Sequence, residues 1–179
     1  MPSANLSAAR QRFDDVLGFS TALNETLSAF AIPDQLPTEA EALVMRQTRT
    51  FMLLVTVGGF DAFTTERCKE LRICPARMTG SSKGRPVSVD RASIREKLYA
   101  LQPASSSARD WAARVEDAYE LYYKARTLWV HGAGLLAAIG GRPRDLSVFE
   151  QDSDGRCWVS ERLWSGCVRA LKGLADDCP

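Results

Sequence analysis

The single histidine of the chain, His131, follows Arg126 by five residues in the stretch YYKARTLWVHGAG, residues 122–134. An imidazole titrates near neutrality, with an unperturbed pKa of about 6.5, so it can both take up and deliver a proton. A guanidinium stays charged and presents a planar fork that matches two phosphate oxygens. Those two groups suit metal-independent RNA cleavage. The 2′-hydroxyl attacks the neighbouring phosphorus, one group takes its proton, another protonates the leaving 5′-oxygen, and positive charge steadies the phosphorane. One histidine per chain cannot serve as separate acid and base. A two-fold homodimer would supply two copies of each group. The competing structural explanation is that Arg126 is ion-paired with Glu120, Asp117 or Asp61, and that His131 is a helix-end residue.

The element that must carry these residues has the clearest periodicity in the chain. From Ser107 onward Trp111, Val115, Ala118, Tyr119, Tyr122, Ala125 and Trp129 fall on one helical stripe, which reads as core or dimer interface. The helix is expected to loosen at Gly140–Gly141. On an ideal helix Arg126 lies about 60° from Trp111, inside that stripe, where an unpaired guanidinium is costly. Arg126 and His131 are about 140° apart, so they converge only if the helix loosens near Gly132 or if each meets the partner's copy across a dimer seam.

Upstream, residues 3–30 read as a first helix, with Phe13, Val16, Leu17, Leu23, Leu27 and Phe30 at helical spacing. Pro33 and Pro37 separate it from a long second helix, N-capped by Thr38 with Glu39 and Glu41 in its first turn. That helix contains FMLLVTVGGFDAF, apolar almost all round and therefore expected at the centre of the bundle. Gly58 and Gly59, each costing about 1 kcal/mol relative to Ala, suggest close helix packing. After a polar loop at 79–86 a short helix spans 90–101. Downstream, 146–149 and 157–159 flank Asp152-Ser-Asp-Gly155 as a β-hairpin, and Ser160 caps a last helix running to about Ala175. The expected fold is all-α: an up-down bundle of about five helices, with a small β-hairpin before the C-terminal helix, in one domain covering 1–179.

The totals fit an ordinary globular chain. It has 179 residues, 45% apolar and 25% charged, with a formal net charge of +1, so no global field draws it to nucleic acid or a membrane. Charge is uneven: residues 67–97 hold nine Lys or Arg against three Asp or Glu. Within that segment Arg67, Arg72, Lys83 and Arg85 are candidates for contacting flanking RNA phosphates, which would make binding salt-dependent. Five cysteines without a Cys-x-x-Cys pair read as reduced thiols in a cytoplasmic protein. No signal peptide, membrane span, metal-ligand spacing or cofactor motif is evident, so no metal, cofactor or membrane partner is expected.

Arg-x4-His followed by glycines resembles the Arg-x(4–6)-His signature of the HEPN superfamily, small helical bundles that are often metal-independent endoribonucleases. The likeness extends to LLVTVGGFDAFTTERCKEL, similar to the apolar helix with an embedded acidic residue upstream in many HEPN domains, with Asp61 in the acidic position. It covers roughly residues 8–175. The resemblance implies a homodimer acting as a toxin or defence protein, with RNA as substrate and an antitoxin or defence-system partner. It assigns Arg126 and His131 as catalytic, with Thr127 and Asp61 supporting. Many members have Asn after the arginine, where this chain has Thr127. Members modified by a paired nucleotidyltransferase have Tyr two residues after the histidine, where this chain has Ala133. The alternative is a HEPN-like module that binds RNA, a nucleotide or a partner without cleavage.

Overall fold

A computed structural model describes residues 7–30, 38–73, 87–135 and 147–179. Its elements are α1 (Ala8–Phe30), α2 (Glu39–Glu70), α3 (Ile94–Ala100), α4 (Ala108–Ala118), a π-helical turn (Tyr119–Tyr123), α5 (Lys124–Gly132), β1 (Phe149–Gln151), β2 (Cys157–Val159) and α6 (Glu161–Asp177). Because α4, the π turn and α5 form one rod, the described residues make five helical rods with one hairpin before the last, as the periodicities imply.

The helix starts are fixed by side chains. Thr38 and Glu41 form a reciprocal capping box at α2, and Ser93 with Glu96 does the same at α3. Ser107 and Ser160 accept from the third backbone amide of α4 and α6. The cap at Ser93 explains why α3 begins at Ile94 rather than at Asp90. The last helix continues two residues beyond Ala175, to Asp177.

Antiparallel packing of α1 on α2 follows from its contacts. Phe13 meets Phe60 and Phe63 with ring centroids 5.3 and 5.6 Å apart. Thr56 donates to Ser20 at 3.2 Å, a buried polar pair linking the two helices. A Cβ on Gly59 would lie 3.0 Å from Val16, so this glycine permits the close approach expected of it. Gly58 does not: nothing lies within 4 Å of its missing Cβ. The helix is also not enclosed all round, since Phe51 is 53% exposed. Its apolar sequence covers the core with Met52, Leu53, Val57 and Phe60 and leaves one face uncovered.

The α4–α5 rod buries Trp111, Val115, Ala118, Tyr122, Ala125, Leu128 and Gly132. Trp111 is fully buried and donates from Nε1 to the Leu98 carbonyl at 2.7 Å, which ties α3 to α4. Leu128, not Trp129, continues the inner line. The π turn between Trp111 and Arg126 departs from the 100° step of an α-helix, so the ideal-helix angle between those residues does not carry through it. Cys68, Cys157, Cys167 and Cys178 are free thiols. Among the described residues no helix is long and apolar enough to cross a membrane.

Candidate functional site

Helix α5 is nine residues long, ends at Gly132, and is closed by Ala133 in the left-handed region, φ 46°. The loosening comes earlier than Gly140–Gly141, which lie outside the described residues. It also comes after His131, not between the two candidate residues. Five residues of regular helix separate Arg126 and His131 by about 140° and roughly 7.5 Å along the axis. The structure does not bring them together within one chain. Arg126 is half-buried, His131 is exposed, and neither side chain makes a hydrogen bond or ion pair among the described residues.

None of the acidic partners named for Arg126 holds it. Glu120 accepts from Lys124 at 2.6 Å. Asp61 pairs with Lys97 at 2.9 Å. Asp117 has a partner of its own, and none of the ion pairs among the described residues joins it to Arg126. Thr127 is exposed, and its hydroxyl donates back to the Tyr123 carbonyl at 2.9 Å, one helical turn earlier.

Asp61 lies in a small polar cluster that sequence reasoning only half recovered. The Lys97 ammonium is 5% exposed and donates both to Asp61 and, at 2.7 Å, to Thr65. Burial of a lysine on α3 fixes that helix against α2. Near it lies Tyr123, buried, with a hydroxyl that has no hydrogen-bond partner among the described residues. Burial holds this phenol well above its ordinary range; Asp61 and Cys167 push it further up, and Arg126 acts in the opposite sense. Arg126 and Asp61 thus both act on one buried phenol without pairing with each other. The sequence signal for Lys97 was weak, since a lysine in a basic segment reads as a solvated residue.

The end of α5 is held by the hairpin. Gly134 has φ +84°, and a Cβ there would lie 2.8 Å from the Trp129 ring. Its carbonyl accepts from the Cys157 amide at 2.9 Å, while the Trp129 indole donates to the Cys157 carbonyl at 2.9 Å. Trp129 and Trp158 pack with centroids 4.6 Å apart. Asp152 organises the hairpin turn by accepting from the amides of Asp154 and Arg156 and from the Trp158 indole. The β1–β2 unit therefore serves as a bracket for the helix end that carries His131. The HGAG glycines and the strand at 157–159 were both visible in the sequence, but not that they meet.

The basic segment is largely engaged internally. Arg67 pairs with Glu70 at 2.8 Å and also donates to the Pro179 carbonyl. Lys69 pairs with Asp90, and Arg95 with Glu116. Arg72 is exposed in a left-handed turn, φ 50°, and is not ion-paired among the described residues. Lys83 and Arg85 lie outside the described residues. Among the described residues no three His, Cys, Asp or Glu side chains gather as a metal site. In comparison with known proteins, no family model, no curated protein and no solved structure matches this chain.

Proposed function

We propose that this protein is a HEPN-type, metal-independent endoribonuclease that acts as a homodimer, in the role of a toxin or defence protein. The observation that carries this reading is that Arg126 and His131, on one short helix, are both accessible and both without partners among the described residues. A half-buried guanidinium without a carboxylate is costly unless an anion uses it. Exposed apolar side chains beside the histidine, Val130 at 50% and Leu135, suit a second copy of the chain. In that dimer His131 serves as acid and as base from the two subunits, Arg126 clamps the scissile phosphate, and Thr127 and Asp61 are supporting residues.

The test is RNA cleavage in excess EDTA by the parent, His131→Ala and Arg126→Ala. Cleavage leaving 2′,3′-cyclic phosphate ends, lost in both variants, is the expected result; equal cleavage by all three overturns it. Subunit mixing tests the composite site. A tenfold excess of His131→Ala chains should remove about nine-tenths of the parent's activity, because most parent chains then sit in mixed dimers. A site contained within one chain would keep all of it.

A second reading, a module that binds RNA, a nucleotide or a partner without cleaving, is favoured by the engagement of the Thr127 hydroxyl with Tyr123. Binding by the parent with no cleavage under any metal condition selects it.

A further inference from the structure

Resting on the reading of this protein as an RNA-binding enzyme, we propose that single-stranded RNA lies along the groove between the α4–α5 rod and α6, its phosphates held by Arg162 and Arg169. The groove has a volume of about 830 Å³. It is open to solvent, with Ala118 and Leu121 on one wall and Ala170 and Leu174 on the other. The two helices run antiparallel: Gly173 faces the Arg114 guanidinium, and Gly166 faces the Tyr122 hydroxyl, which would lie 3.1 Å from a Cβ placed there. Tyr122 is only 8% exposed, lines the groove, and its hydroxyl bonds to none of the described residues. Its ring is buried while its hydroxyl reaches the groove beside Gly166, where it can bond a ligand oxygen.

The cations complete the match. Arg169 lines the groove, and no ion pair among the described residues engages it. Arg162 is exposed and likewise unpaired among the described residues; it lies on the same helical line, since 162, 166, 169 and 173 recur at four- and three-residue steps. Across the groove, Arg126 comes four residues after Tyr122 on the opposing rod. By contrast Arg114 is held by Asp177, and Asp117 on the rim has its own partner. Seven residues of α6 set Arg162 and Arg169 about 10 Å apart, further than one phosphate spans. An open trough with separated guanidiniums and apolar walls fits a chain of phosphates and bases better than a single small anion. It also replaces the 67–97 segment as the expected RNA track, because most of the described cations there are engaged in ion pairs.

The test uses a labelled 2′-O-methyl RNA of about twelve nucleotides, which lacks the attacking hydroxyl and so reports binding alone, by fluorescence anisotropy over a salt series in EDTA. Arg162→Gln with Arg169→Gln should weaken binding tenfold or more and flatten the log–log salt slope by about 1.4, two phosphates at roughly 0.7 each. Tyr122→Phe should weaken it several-fold, whereas Arg67→Gln with Arg72→Gln should leave it near the parent's. Equal binding by the parent and the Arg162/Arg169 variant overturns the track, as does a loss confined to the Arg67/Arg72 variant. Cleavage of unmodified RNA is measured beside it. Groove-dependent binding without cleavage upholds the track and rejects the nuclease. Cleavage with groove-independent binding does the reverse. No binding by the parent at low salt rejects both.

Discussion

The Lys97–Asp61 pair is lopsided: the ammonium is 5% exposed and the carboxylate 40%. Removing Lys97 leaves a carboxylate that water can reach, whereas removing Asp61 leaves a buried cation with only the Thr65 hydroxyl. Asp61→Asn should therefore cost more stability than Lys97→Met, about 2 kcal/mol against about 1. Urea denaturation of both variants decides the order, and a reversed order would show that the pair is not what anchors α3. At Gly134 two independent constraints coincide, a positive φ and the Trp129 ring at 2.8 Å. Gly134→Ala should destabilise by about 2–3 kcal/mol, readable as a lowered melting temperature. Ala133, left-handed at φ 46°, should behave oppositely, with Ala133→Gly stabilising slightly. Arg126 and His131 stand out in the sequence because both are unusual in their surroundings, and the structure leaves both accessible. The pairing of Asp61 with Lys97, 36 residues apart, was not, since only tertiary packing decides which lysine a carboxylate meets.

Elements were the most legible level, because caps are local chemistry. Thr38 and Ser160 mark the starts of α2 and α6 in the sequence as they do in the structure. Ser160 has a second task, donating to the Val148 carbonyl beside β1 while accepting from Leu163 at 3.1 Å. Ser160→Ala should therefore cost about 1–2 kcal/mol, at the upper end for a cap, in a thermal or urea melt. The π turn was not legible. Tyr119–Tyr123 has no glycine or proline to announce it, and both Tyr122 and Tyr123 are buried there although they are adjacent. An ordinary helical step of 100° would separate their directions more cleanly, so packing on two sides holds the wider turn open. The same limit explains Phe51: a one-helix pattern reports how apolar a face is, not whether a neighbour arrives to cover it.

For the molecule as a whole, burial at separate places holds several titratable groups in their protonated form. Burial pushes the Cys68 thiol up to about 11, with Lys97 acting the other way. Burial likewise pushes Cys178 and Tyr122 up to about 12. The unfolded chain ionises its thiols near pH 8.5 and its phenols near 10, so it releases protons that the folded state retains. The stability these groups contribute is complete below about pH 8.5 and is lost as pH rises toward about 11–12. Urea midpoints should accordingly fall between pH 8.5 and 10.5, and Cys68→Ala should flatten the decline; an unchanged slope in that variant would remove the thiol from the account. The bracket formed by Gly134, Cys157 and the two tryptophans has a thermal consequence of its own. Strands of three residues belong to the weakest cooperative unit of a fold, opening at a smaller free energy than the helical core. Amide exchange in 149–159 and at the end of α5 should rise in step on heating, several degrees before the helices melt.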